Sequence, residues 1–176
     1  MSRTVTIAPV RKSVIVNATP MFAFEIFTGG IDTWWPKSHG MGGAPFRTSR
    51  IEPFEGGRWY AEREDGSELD IARVLVWEPG RRVVFRWDIT AGWKRDVANP
   101  SKLEVNFIAD GATTRVELEH RDFDRVGQEV GEQFRNDVER GWPGLLDIYG
   151  AAIIRRTVAS ANSQIGLSKP EASAPG

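Results

Sequence analysis

The segment from Gly127 to Arg156 sets the strongest constraint on what this chain can become. Within it Phe134, Val138, Trp142, Leu145, Tyr149 and Ile153 recur every three or four residues, the spacing of one face of an α-helix. A helix of that length is held by packing its stripe, so an apolar surface of matching length must cover it. Gly141 and Pro143 interrupt the run. Pro143 has no N–H to give the carbonyl of Glu139, which predicts a kink rather than two separate helices.

The covering surface has to come from the residues before it, where the pattern changes to period two. Val83, Phe85, Trp87 and Ile89 alternate with Val84, Arg86 and Asp88. Leu103, Val105 and Phe107 alternate with Lys102, Glu104 and Asn106, and Val116 and Leu118 with Arg115, Glu117 and Glu119. This alternation predicts an antiparallel sheet with one dry and one wet face. Further strands are expected at Val5 to Val16, Thr48 to Pro53, Gly57 to Arg63 and Glu68 to Glu78. Asp65-Gly66 and Asp110-Gly111 are favoured hairpin turns, and Pro79-Gly80 closes another strand. Ala91 to Pro100, with Trp93, reads as a loop.

The dry face of that sheet is the surface available to the long helix, so the sheet has to curl around it. Curled sheets need bulges and glycine kinks, and Gly56-Gly57 directly before Arg58 and Trp59 is placed to supply one. The expected result is a gap between curled sheet and helix, with Trp59 swung beneath the helix.

The rest of the chain fits around this frame. Thr19 caps a short helix with Pro20 at its first position, which Gly29-Gly30 ends near Thr28. Asp32 is placed to cap a second short helix through Trp34 and Trp35, stopped by Pro36. Lys37 to Ala44 reads as a mobile Gly-rich loop, with His39 in solvent. Residues 1–158 are expected to form one domain, and residues 159–176, rich in Ser, Ala, Pro and Gly, a disordered tail.

Composition excludes several functions. With 23 basic and 24 acidic residues the net charge is −1, which gives no pull toward nucleic acid or anionic membranes. The lack of Cys removes thiolate metal sites and a Cys nucleophile, and suits a reducing compartment. No secretory h-region opens the chain and no run nears the roughly 20 apolar residues of a membrane helix. A cytoplasmic location is expected. Seven Trp and nine Phe point instead to a ring-rich interior, suited to filling a core or lining a cavity.

Several local features, in this order, resemble a known superfamily. They are Ala18-Thr19-Pro20 leading to Phe27-Thr28, Trp34-Trp35-Pro36, Gly56-Gly57-Arg58-Trp59 and Asp65-Gly66. Glu78-Pro79 with Val84-Phe85 and Trp87, the stretch Thr114 to Phe123, and Gly141-Trp142 with Leu145-Leu146 complete the set. Together they resemble the START-like helix-grip (SRPBCC) superfamily, and within it the group similar to the C-terminal domain of the activator of heat-shock protein 90 ATPase. The resemblance implies an α+β fold, with a curved antiparallel sheet of six to seven strands around a long C-terminal helix and two short helices after the first strand. It implies either a carrier or sensor of a small hydrophobic or amphipathic molecule, or a co-chaperone-like activator of a heat-shock protein 90-type ATPase. A cyclase or hydrolase-type enzyme is a third possibility. A monomer or weak homodimer is expected.

The cavity of such a fold is expected to be lined by Trp34, Trp35, Trp59, Phe85, Trp87 and Phe107, and by Val116, Leu118, His120, Trp142, Leu145 and Tyr149. His120 shares strand parity with Val116 and Leu118 and should point inward. It is either the cavity's polar anchor or acid/base group, or a histidine hydrogen-bonded between strand and helix. Arg58 and Arg86 either reach the rim to hold a ligand anion or sit on the wet face beside Glu62 and Asp88. Glu119, His120, Asp122 and Asp124 match no common zinc spacing, so no metal is expected. No nucleophile elbow, phosphate loop or dinucleotide fingerprint occurs, so neither a cofactor nor a catalytic constellation is expected.

Overall fold

A computed structural model describes residues 6–38 and 40–167. Strand β1 (Val10–Val16) leads to helices α1 (Pro20–Phe27) and α2 (Ile31–Trp34). Strands β2 (Phe46–Ile51), β3 (Arg58–Arg63), β4 (Glu68–Glu78) and β5 (Arg82–Trp87) follow. After the short strands β6 (Ile89–Thr90) and β7 (Lys94–Arg95) come β8 (Ser101–Asp110), β9 (Thr113–Arg121) and the long helix α3 (Gln128–Leu167). The main sheet has seven antiparallel strands in the order β1-β9-β8-β5-β4-β3-β2. It curls around α3 in the helix-grip arrangement that the sequence predicts.

The curl has local causes. Register slips leave two unpaired residues on β4, Ile71 opposite the Trp59–Tyr60 step of β3 and Leu75 opposite the Val84–Phe85 step of β5, and these bulges bend the strands. At the entrance to β3, Gly56 has φ +87°, and Gly57 leaves no room for a Cβ, which would lie 2.6 Å from the Glu52 carbonyl oxygen. Both glycines also bond across to β4. Gly56 N donates to the Val74 carbonyl at 2.8 Å, and Val74 N donates to that of Gly57 at 2.9 Å. The pair is therefore a close backbone crossing as well as a kink.

Of the expected stripe on α3, Phe134, Trp142, Tyr149 and Ile153 are buried against the rest of the core, Val138 and Leu145 are half-buried, and Leu146, outside the stripe, is buried with them. Helix α1 packs Phe24 against Trp77 and Phe107, and Phe27 against Phe107 and Tyr149. Its cap is Thr19, whose Oγ1 accepts from Phe22 N at 3.1 Å. Tyr149 ties α3 to α1 by donating its hydroxyl to the Ala23 carbonyl at 2.6 Å, and burial pushes that phenol's pKa up.

Some boundaries move. β1 begins at Val10, with residues 6–9 outside any strand and Val5 outside the described residues, and β2 starts two residues early at Phe46. Asp32 does not cap α2 but lies in its first turn, where its Oδ1 accepts from Ser49 N at 2.9 Å and ties the helix to β2. The Gly-rich loop is held in place by Arg63, which donates to the Gly40 carbonyl from both Nε and Nη2. Residues 91–95 are not plain loop: β6 and β7 pair as a small hairpin with Ala91, Gly92 and Trp93 at its tip. Finally, α3 is one continuous helix through Pro143 and runs to Leu167 rather than ending near Arg156. His39 and residues 168–176 of the expected tail lie outside the described residues.

Candidate functional site

The space between sheet and helix is divided in two. Deep inside, it is closed by rings packed edge to face. Trp35 and Trp59 lie 5.0 Å apart, Trp59 and Phe85 5.1 Å, and Trp59 and Trp87 5.2 Å. Such pairs stabilise by about 0.5–1.5 kcal/mol beyond their buried area, which makes a solid floor cheaper than an empty one. At the mouth the packing stops, and a cleft of about 810 Å³ opens.

Three segments wall this cleft. The turn after α2 contributes Trp35, Pro36 and Met41. The β6–β7 hairpin forms the second wall, from Ile89 and Thr90 to its tip at Trp93, and Trp87 joins it to the floor. Helix α3 supplies the third, from buried Phe134 and Trp142 through half-buried Val138 and Leu145 to exposed Ile148. Gly141 and Gly144 also face it, with nothing within 4 Å of a Cβ added at either. The few polar lining groups are Thr90, Gln133, Asp137 and Arg140. Arg140 Nη2 donates to Asp137 Oδ1 at 2.6 Å, so those two satisfy each other.

Of the expected cavity residues, Trp35, Trp87, Trp142 and Leu145 line the cleft. Trp34, Trp59, Phe85, Phe107, Val116, Leu118, His120 and Tyr149 do not; all are buried in the core. Period-two parity selects every inward side chain, and it cannot separate rings that fill space from rings that border it. The hairpin wall, Phe134, Met41 and Ile148 were absent from the expected lining. The signal for the hairpin was the pairing of Ile89-Thr90 with Lys94-Arg95 across Gly92, which has φ +71° and turns the chain.

His120 lies one layer behind the cleft, completely buried. Trp142 Nε1 donates to its Nδ1 at 3.4 Å, so the proton sits on Nε2, 2.8 Å from Ser101 Oγ. Trp87, Phe123 and Phe134 surround the ring at 5.0–5.6 Å. Burial, aided by the neighbouring Arg121 charge, lowers its pKa to about 3. It is a neutral bridge between strand and helix.

The two arginines sit on the wet face. Arg86 binds Asp88 through two bonds of 2.8 and 2.9 Å. Arg58 pairs with Asp70 at 3.0 Å and lies 3.9 Å over the Tyr60 ring, rather than meeting Glu62. Among the described residues no group of three His, Cys, Asp or Glu is placed to hold a metal, and no helix is long and apolar enough to cross a membrane.

Comparison with known proteins places this architecture. The family model described as "Activator of Hsp90 ATPase homolog 1-like protein" matches residues 17–149. The anthrahydroquino-γ-pyrone synthase Txn09 is 34% identical over 84% of this chain and 97% of its own, with a TM-score of 0.60. CalC from Micromonospora echinospora, a self-sacrificing resistance protein, is 32% identical over 84% of this chain and 95% of its own, with a TM-score of 0.62. The Aha1 dimer from Colwellia psychrerythraea shares the fold at 15% identity over 84% of this chain and 96% of its own, with a TM-score of 0.58. No curated protein sequence matches the chain. The family model spans most of the domain, and two relatives exceed 30% identity across nearly their full lengths. The chain belongs to the Activator of Hsp90 ATPase homolog 1-like family, on the helix-grip fold.

Proposed function

We propose that this protein binds a planar, largely apolar small molecule in the mouth cleft, as a carrier or sensor rather than a catalyst. One observation carries this reading: an open cleft of about 810 Å³ walled by Trp35, Trp87, Trp93, Trp142, Phe134 and Leu145. That volume falls in the range of small-molecule sites, and flat ring faces favour flat ring ligands. One relative supports the ligand class, since its name joins an anthrahydroquinone to a pyrone. Binding is favoured over turnover because His120 is sealed behind the floor and neutral. Asp137, the lone carboxylate lining the cleft among the described residues, is held by Arg140.

The test is titration of the protein with anthraquinone, followed by Trp emission and melting temperature. Saturable quenching and a higher melting temperature are expected, both lost in Gly144→Phe, whose ring would occupy the cleft. A panel of planar aromatics that moves neither signal would end this reading. The family description supports a second one, stimulation of a heat-shock protein 90-type ATPase through the outer surface. Under that reading Gly144→Phe leaves the stimulation intact.

A further inference from the structure

Helix α3 carries a second apolar stripe, on the face turned away from the sheet. Ile148, Ala151, Ile154 and Val158 recur every three or four residues and all are exposed, Ile154 to 64% and Val158 to 53%. From Ile154 to Asn162 the helix is exposed on every side, and a helix in water with no packed face is only marginally stable. An apolar stripe on such a segment is a surface for a partner helix. The charges beside it identify the partner. At 3.6 residues per turn, Asp147 and Arg155 fall about 40° to either side of Ala151, one a turn before it and one a turn after. They stand roughly 12 Å apart along the axis, too far to pair with each other. Among the described residues the salt bridges of α3 use Arg135, Asp137, Glu139 and Arg140, and neither Asp147 nor Arg155 takes part in one.

We propose that this stripe is a homodimer interface, in which α3 packs antiparallel on α3 of a second copy about a two-fold axis beside Ala151. A two-fold exchanges positions equally far before and after its centre. Asp147 therefore comes level with Arg155 of the partner subunit, and Ile148 with Ile154 of the partner subunit. The Asp–Arg pair occurs twice, once at each end of the contact. A parallel pairing in register would set Asp147 on Asp147 and Arg155 on Arg155, so the charges select the antiparallel one. Ala151 at the centre is small enough for the helix axes to approach to about 8–10 Å. Of these residues only Ile148 borders the cleft, so the interface does not depend on the ligand-binding reading.

Sedimentation velocity over a concentration series tests this, with circular dichroism to confirm that each variant keeps its helix content. The wild type should pass from monomer to dimer as concentration rises. Asp147→Arg sets like charges against each other at both ends of the contact, and so does Arg155→Asp. Each should weaken the dimer about tenfold. The double variant Asp147→Arg/Arg155→Asp restores opposite charges and should recover the wild-type affinity. Val158→Glu puts a charge into the apolar stripe and should leave the chain monomeric at every concentration. A wild type that stays monomeric throughout would leave the stripe to a different partner and overturn the proposal. Single charge reversals without effect, or a double variant no tighter than the single ones, would overturn it as well.

Discussion

At the scale of single residues, His120 shows how far sequence reasoning reaches. Parity with Val116 and Leu118 pointed it inward, and so it lies. Its partners, Trp142 and Ser101, are 22 and 19 residues away and belong to other elements, so no local pattern names them. Its environment has a measurable consequence. The unfolded chain takes a proton on this ring near pH 6.5, whereas the folded protein refuses it down to about pH 3. Stability from His120 is therefore complete above pH 6.5 and falls as pH drops toward 3, by about 1.4 kcal/mol per unit. Urea midpoints measured from pH 7 to pH 4 should show this slope, and His120→Gln should flatten it. Equal slopes in the two proteins would show that the ring is protonated in the native state. The same limit explains Arg58: its place on the wet face was legible, but its partner Asp70 was set by the β3–β4 register, which the β4 bulge at Ile71 shifts.

Elements were easier to read than their neighbours. The α3 stripe, the strand alternation and the two hairpin turns all follow from periodicity and turn chemistry, and each appears in the structure. What periodicity missed was the β6–β7 hairpin, since two residues per strand are too few to show alternation. The end of α3 was missed for a different reason. All residues from 154 to 162 are exposed, so no buried stripe marks that stretch as helical. Two substitutions test the elements that matter most. Trp142→Ala removes a ring buried against Trp35, Trp87 and His120, and should cost about 3–5 kcal/mol in chemical denaturation. Gly57→Ala drives a methyl against the Glu52 carbonyl and should cost about 1–3 kcal/mol, because backbone on both sides resists movement. An unchanged midpoint in the second variant would mean that the crossing to β4 is loose.

For the whole molecule, fold and site part company. The fold was legible because sheet and helix must cover each other. The cleft was legible only as a cavity somewhere between them, because ring packing decides where filling stops. The position of that boundary can be tested through stability. Gly144 faces the cleft from a helix interior with open space above it, so Gly144→Phe should close the site without loss of stability. Better helix propensity should raise its free energy of unfolding by up to about 0.5 kcal/mol. A bound ligand at a hundred times its dissociation constant should add about 2.7 kcal/mol to the wild type and nothing to the variant. The strand order carries a consequence in time. β1 pairs with β9, Val10 opposite His120, so the first strand made waits for the last. At roughly 5–20 residues per second a ribosome needs on the order of 5–20 s to make the residues between them. For most of that interval Phe24 and Phe27 of α1 lack the β8 surface that later encloses them, and throughout it they lack Tyr149 of α3. Nascent chains of increasing length should therefore stay open to protease until α3 has emerged, and then become protected in one step.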